Sequence, residues 1–298
     1  MEKGSKYVVY LIVFISIIFW GLSYIWTNEL LSQDVPILIF VPIRILLAGI
    51  CMLIISLSLR KLEKIRKGDL KLFLALAFFE PLLYFIGETY GMKATNSPTL
   101  SSIIIGTIPV FTLIVGQIVF REKLSKLNKI GVLLSLPGIV LFAFHKNEIG
   151  ADYSYGIALL FVAVLSSICY STVCKKLASR YNVFTITTYQ FVFGALYFMV
   201  LFIIYGLPQF DPVQHLTIRI VPPIIVLALF CSCIAFGLYN RAIQILGITR
   251  ASVFTSLIPI VSAVAAFLVG QETFSTPQIF GLSLTVIGVI IAQLKAKK

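Results

Sequence analysis

The chain has 298 residues, of which 59% are hydrophobic and 12% charged, with a formal net charge of +12. A soluble domain carries roughly 45–50% apolar and about 25% charged residues, so a water-solvated globular fold is excluded. The positive charge does not point to nucleic acid, because the basic residues sit at the ends of long apolar runs, where membrane topology puts them.

A helix needs about 20 apolar residues to cross the hydrocarbon core. On that ruler the chain reads as all-α and integral to the membrane, with ten transmembrane helices. The first, over 7–27, follows Lys3 and Lys6 as a signal peptide would, but no small-residue cleavage site follows, so it is expected to stay as an uncleaved span. The next are expected at 36–59, 70–92 and 97–120, the last two parted only by Lys93 to Pro98, where the proline stops one helix and starts the next. A fifth follows at 127–144. The second half gives 155–177, 184–205, 218–241, 249–270 and 276–294, with the same kind of narrow break at Gly247.

Lysines and arginines divide unevenly between the two sides of such a bundle. With the N-terminus inside, 20 fall on inner loops and ends and 3 on outer loops (Lys93, Lys146 and Arg219), while Arg44 lies within a span. This split predicts both termini in the cytoplasm of a bacterial-type inner membrane, since a missed span would erase it. The five cysteines lie in apolar segments and make no metal or disulfide framework, and no cofactor is expected. His145 and His215 are expected in solvated outer loops.

The chain also repeats itself. Moving it by 150 residues superposes Ser102, Ile108, Pro109, Val119, Glu122, Ser125, Gly131, Leu134 and Gly138 on identical residues, nine over 37 positions. Trp20 and Tyr170 meet at the same shift. Each copy, 7–144 and 155–294, holds five spans. Five is odd, so the second copy must enter from the opposite side. The loops agree: Arg121-Glu122-Lys123 is basic, and its counterpart Gln271-Glu272-Thr273 has lost its positive charge. Inverted repeats are a recurring architecture of secondary transporters, with the substrate site near mid-membrane.

Ile108-Pro109, Arg121-Glu122-Lys123-Leu124-Ser125, Gly131 and Gly138, with their second copy at Ile258-Pro259, Gln271-Glu272, Gly281 and Gly288, resemble the signature of EamA-type members of the drug/metabolite transporter superfamily. Tyr239 to Ile243 and Phe19-Trp20-Gly21 are similar to that family's eighth and first helices. The resemblance covers essentially the whole chain. It implies ten helices, cytoplasmic termini and export of small metabolites, often amino acids or related compounds. The chain departs from the family's usual pattern at Glu80 and Glu88, where members carry less charge.

Ionisable groups inside a span are costly and by default face the bundle interior or a cavity. Arg44 lies about 12 Å in from one end of its helix and Glu80 about 15 Å in from the other, at about 1.5 Å per residue. Glu88 lies a further eight residues along, on a neighbouring face, at a depth that leaves Arg44 able to pair with either carboxylate. Two readings stand. In one, Arg44 attracts a substrate carboxylate, and Glu80 or Glu88 meets an amine or carries a proton. In the other, they form an ion pair that fixes helix packing, with Glu88 alternatively in water at the outer mouth. Trp20, Tyr24, Tyr84, Tyr90, Tyr170 and Tyr239 suit a cavity for amphipathic or cationic molecules. Trp26 and Tyr153 fit the interfacial belt. Gln190 and Asn240 bond either substrate or a neighbouring helix, Asn240 more naturally a helix.

Pro81, Pro109, Pro137 and Pro259 lie inside apolar spans and permit kinks. The matched pair Pro109 and Pro259 are hinge candidates for alternating access, with static kinks as the other reading. The glycine pairs Gly131/Gly138 and Gly281/Gly288, seven residues apart, place small residues on one face of helices five and ten. These helices are expected to contact each other or a second protomer in a homodimer. Glu122 and Glu272 are expected to cap or pair locally. No phosphate-binding glycine-lysine loop is present, so the expected function is a secondary exporter, with a passive channel for small polar solutes as the alternative. A membrane enzyme would need a richer cluster of His, Asp, Glu or Cys at one depth.

Overall fold

A computed structural model describes residues 3–112, 125–143, 150–215, 217–247 and 251–293. Arg121-Glu122-Lys123 and His145 lie outside the described residues. Among the described residues all regular structure is helical. Seven helices are long and apolar enough to cross a membrane: α1 (Val8–Ser32), α2 (Ile37–Ser58), α3 (Leu70–Thr95), α5 (Lys126–Ala143), α6 (Ala151–Ala178), α7 (Val183–Gln209) and α8 (Val221–Leu246). Three shorter apolar helices are also present among the described residues: α4 (Pro98–Thr112), α9 (Phe254–Leu268) and α10 (Thr276–Ala292). The chain is thus a multi-pass membrane protein, and its large exposed side chains, such as Leu133, Leu196, Phe267 and Phe280, face outward from the bundle as lipid-facing residues do.

The narrow breaks fall where the sequence puts them. After α3, Asn96 takes a left-handed conformation (φ 45°), Ser97 caps α4 by accepting from the Leu100 N–H (3.1 Å), and Pro98 occupies the first turn. After α8 the chain turns at Gly247 with φ 81°, open to glycine at no steric cost. α3 and α8 each contain a π-helical turn, Phe78–Leu83 and Leu227–Ile234, and the two overlap when the chain is shifted by 150. α4 breaks at Gly106-Thr107, just ahead of Pro109, and a 3₁₀ turn over Val253–Leu257 stands just ahead of Pro259. Pro259 therefore stands in the first turn of the α-helical part of α9, Ile258–Leu268, directly after the 3₁₀ turn, where its lost N–H is tolerated.

Packing follows the glycines. α5 and α10 run antiparallel and touch backbone to backbone: Gly131 faces Gly288 and Ala292, and Gly138 faces Gly281 and Thr285. The pair is therefore formed within one chain. α3 packs on α6 in the same manner, with Gly87 against Leu159 and Ala163, and Gly91 against Gly156 and Leu160. α2 lies along α7, and α1 along α8 and α9.

Two polar clusters tie the ends of the bundle. At the basic end, the buried Asp69 accepts from Arg180 and from the Tyr181 hydroxyl (2.9 Å), and Tyr181 Oη accepts from the Arg66 N–H (3.0 Å). At the other end, Glu272 accepts from Ser97 Oγ (2.5 Å) and from the Thr99 N–H (3.1 Å), so it caps α4 of the other half of the chain rather than a group local in sequence. His215, expected in solvent, is buried instead: its Nδ1 accepts from the Asp211 N–H (3.0 Å) and its ring stacks on Phe210. A short helical turn, Pro212–His215, folds the loop back on itself and removes the ring from water.

Candidate functional site

Glu80 sits in the π turn of α3, where its backbone is extended (φ −145°, ψ 111°). The cause is local: the ring of Pro81 disfavours the helical region for the residue before it. Pro81 packs against Gly194 of α7, where a Cβ would collide with the ring. The Phe79 carbonyl accepts from the Tyr84 N–H across the π turn and also from Ser166 Oγ of α6 (2.6 Å). The carboxyl thus enters the bundle centre rather than staying on a helix face. Glu80 is 4% exposed, and its Oε2 has no hydrogen-bond partner among the described residues.

Glu88, two turns on, is better provided. Its Oε1 accepts from Tyr24 Oη of α1 (2.7 Å) and from Tyr84 Oη (2.8 Å). It is 8% exposed, so the reading of Glu88 as a water-exposed residue at the mouth is set aside. Arg44, 2% exposed, pairs with neither carboxylate. Its Nε donates to Ser232 Oγ of α8 (2.8 Å), and its guanidinium lies 4.2 Å from the Phe85 ring centroid. Its terminal nitrogens make no hydrogen bond among the described residues, where the one ion pair is Arg180–Asp69. An arginine carries five N–H donors, so most of its capacity is unspent.

Trp20 Nε1 donates to the Cys231 carbonyl (3.1 Å), and its ring meets those of Phe236 and Tyr239 with centroids 5.0 and 4.7 Å away. The α8 π turn thus supplies a carbonyl to Trp20 and a hydroxyl to Arg44, as the α3 π turn supplies Glu80. Such turns recur at functional sites because they redirect backbone groups that a regular helix would consume.

These side chains line one buried cavity. Eight of the ten sequence-predicted pathway residues border it: Trp20, Tyr24, Arg44, Glu80, Tyr84, Glu88, Tyr170 and Tyr239. Gln190 and Asn240 stand behind Tyr170 instead. Tyr170 Oη donates to Asn240 Oδ1 (2.5 Å), and Asn240 Nδ2 donates to Thr187 Oγ1 (2.9 Å) and Gln190 Oε1 (3.2 Å), which joins α6, α7 and α8. These bonds link neighbouring helices, Gln190 Nε2 has no partner among the described residues, and Tyr90 is also away from the cavity. Sequence reasoning missed Ser23, Phe85, Ser167, Phe236 and Thr255 among the lining residues. The signal was present for three: Ser23, Ser167 and Phe236 each stand three residues from a predicted aromatic on the same helix face. The free volume is about 30 Å³, room for about two water molecules.

The two hydroxyls on Glu88 give a direct test. Changing Tyr24→Phe together with Tyr84→Phe should lower stability by about 3 kcal/mol, since a buried carboxyl loses both donors. Adding Glu88→Leu should recover part of the loss, because no buried polar group then lacks a partner. Chemical denaturation in detergent reads both.

The profile of the EamA-like transporter family matches residues 8–144 and 154–293. An uncharacterized transporter of Bacillus subtilis, YetK, is 24% identical over 280 residues, covering 93% of this chain and 84% of its own. An uncharacterized transporter of Archaeoglobus fulgidus is 25% identical over 288 residues, covering 95% and 97%. A chloroplastic WAT1-related protein of Arabidopsis thaliana is 23% identical, covering 92% of this chain and 66% of its own. A solved crystal structure superposes with a TM-score of 0.72 over 96% of this chain and 98% of that one, at 16% identity, which shows a shared fold. The names of the family and of the two microbial relatives indicate a transporter and not an enzyme, and the two matched segments span nearly all of the sequence: the chain belongs to the EamA-like transporter family.

Proposed function

We propose that this protein is a secondary transporter that exports small amphipathic metabolites, amino acids or related compounds, across a bacterial cytoplasmic membrane by alternating access. The carrying observation is the central cavity, where an uncommitted guanidinium and an unpartnered carboxyl oxygen face one space walled by aromatic rings. A zwitterion presents the complementary pair: its carboxylate suits Arg44 and its amine suits Glu80. An unpaired carboxylate buried at that depth is costly, so the site calls for a proton or a cation. A proton exchanged there would couple transport to the gradient.

In this reading the chain is two inverted five-helix repeats, 7–144 and 155–294, with ten spans and both termini in the cytoplasm. The supporting facts are the matched π turns, the matched breaks ahead of Pro109 and Pro259, and the reciprocal glycine contacts of α5 and α10. Gly106, three residues ahead of Pro109, packs on the Pro259 ring, so one hinge candidate sits at the contact of α4 with α9. The small free volume and the polar ties at both ends suit a closed state between inward and outward openings. A homodimer would have to use a face other than that of the four glycines.

Counterflow in proteoliposomes tests the proposal, with unlabelled amino acids inside, a labelled panel outside and a pH gradient imposed or absent. Saturable uptake of a subset, accelerated by the gradient, is expected. Uptake that rises linearly with concentration and shows no exchange would mean a channel.

A further inference from the structure

Lys61 and Arg241 take no part in the central cavity. Both are exposed, and they flank a second cavity of about 590 Å³ where the ends of α2 and α8 meet the start of α7. Its wall is apolar, with Ile55, Phe184, Ile234 and Leu238. Its floor is bare at Gly237, where a Cβ would meet no atom within 4 Å. Through Ile55 the cavity adjoins an apolar groove of about 400 Å³ between α2 and α8, which includes Leu47, Leu229 and Ile225. On α8 Arg241, Gly237 and Cys233 border the cavity, and Leu229 and Ile225 border the groove, with the wider π turn at Leu227–Ile234 offsetting the drift of the row around the helix. The row covers roughly 20 Å. Half of a hydrocarbon core about 30 Å thick is less than that.

The two cations are positioned but not neutralised. Lys61 Nζ lies 4.8 Å from the Phe184 ring centroid, and Arg241 Nη1 donates to Gln244 Oε1 (3.3 Å). Among the described residues neither has a carboxylate at ion-pair distance. Glu63, close by, already accepts from Asn182 Nδ2 (2.5 Å). Two fixed cations at the mouth of an apolar track as deep as a leaflet match one kind of molecule in both charge and shape.

We propose that this groove binds an anionic phospholipid, with the headgroup phosphate between Lys61 and Arg241 and an acyl chain laid along the α2/α8 face. Basic pockets between helices recognise anionic headgroups electrostatically, and here the apolar track supplies the second requirement. The bound chain would lie over the contact of α2 with α8, where Cys233 Sγ and Cys51 Sγ are 3.4 Å apart. It would thus brace the two helices that share the Arg44–Ser232 bond. Only the identity of the leaflet rests on the transporter orientation proposed above.

The test is native mass spectrometry of the purified full chain, given an equimolar mixture of phosphatidylglycerol and phosphatidylcholine. It needs no transport assay, so it stands or falls apart from the export reading. Preferential retention of phosphatidylglycerol is expected, with a drop of about tenfold or more in the double variant Lys61→Ala/Arg241→Ala. Gly237→Trp should fill the track and reduce retention while both cations remain. If that variant fails to fold, the double variant at exposed positions decides alone. Equal retention of both lipids by the unaltered chain, or an unchanged preference in the double variant, overturns the proposal. So does displacement of the lipid by an amino acid from the counterflow panel, which would make the groove an entry path for substrate.

Discussion

Glu80→Gln protein is expected to fold, melt within about 1 kcal/mol of the unaltered chain, and lose counterflow by about 30-fold or more. The stability half follows from what Glu80 touches. Its Oε2 has no partner among the described residues, and the backbone break that presents it is set by Pro81 and the Ser166 bond rather than by the carboxyl. Glutamine keeps the volume and removes only the ability to hold a charge or a proton. The activity half follows from the proposed pairing with a substrate amine, since removing one partner of a buried charged contact costs about 2–5 kcal/mol, and about 1.4 kcal/mol is tenfold. Arg44→Lys should raise the half-saturating concentration instead, because an ammonium cannot offer a planar fork to a carboxylate. Thermal melting and counterflow on the same preparations separate the outcomes. Loss of folded protein in Glu80→Gln would show that the carboxyl serves packing, and full transport would remove it from the pathway.

The central site was largely legible because the bilayer makes buried polarity rare. Arg44, Glu80 and Glu88 stand out in apolar spans, and burial among aromatics is the cheapest resolution of their cost. What the sequence hid was how each group is satisfied. The depth of Arg44 between two glutamates leaves an ion pair as one of two readings, yet Glu88 is served by Tyr24 and Tyr84, and Arg44 by Ser232. A serine in an apolar run gives no sign of facing an arginine 188 positions away. The break in α3 was signalled by Pro81, whereas the turn at Leu227–Ile234 contains no proline and emerges only from tertiary packing. Asn240 is polar enough to read as a ligand, but three helices converge on Tyr170 and consume its amide, whereas Gln190 accepts there through Oε1 and its Nε2 has no partner among the described residues. Short ties such as Glu272 with Ser97 join residues 175 apart, and only the folded topology brings them together.

The second large effect is expected at the contact of α5 with α10. Gly138→Leu and Gly281→Leu should each destabilise the protein by about 3 kcal/mol, at the upper end of what overpacking costs. A Cβ built at Gly138 would stand 2.6 Å from the Thr285 N and 2.7 Å from the Gly281 carbonyl oxygen; one at Gly281 would stand 2.8 Å from the Gly138 carbonyl oxygen and 2.9 Å from the Phe142 N. These neighbours are backbone, which cannot rotate away, so the helices must separate along their length. Without a hydrophobic drive between helices in lipid, close packing is what holds such a pair, and separation forfeits it. The contacts are reciprocal: Gly131 meets Gly288 as Gly281 meets Gly138, and the 150-residue shift exchanges one contact for the other. Gly138 and Gly281 are the two sides of one contact, so the inverted relation is read from Gly131→Leu, the counterpart of Gly281→Leu at the 150-residue shift: equal losses in that pair are expected if the repeats are related by an inverting axis. A control lies at Gly68, where a Cβ would meet no atom within 4 Å and Gly68→Ala should be nearly neutral. Fluorescence-detected melting of the four variants in one detergent measures the set. A Gly281→Leu protein as stable as the unaltered chain would mean that the two helices do not pack backbone to backbone. A large loss at one glycine with none at its counterpart would count against the inverted relation that the export reading assumes.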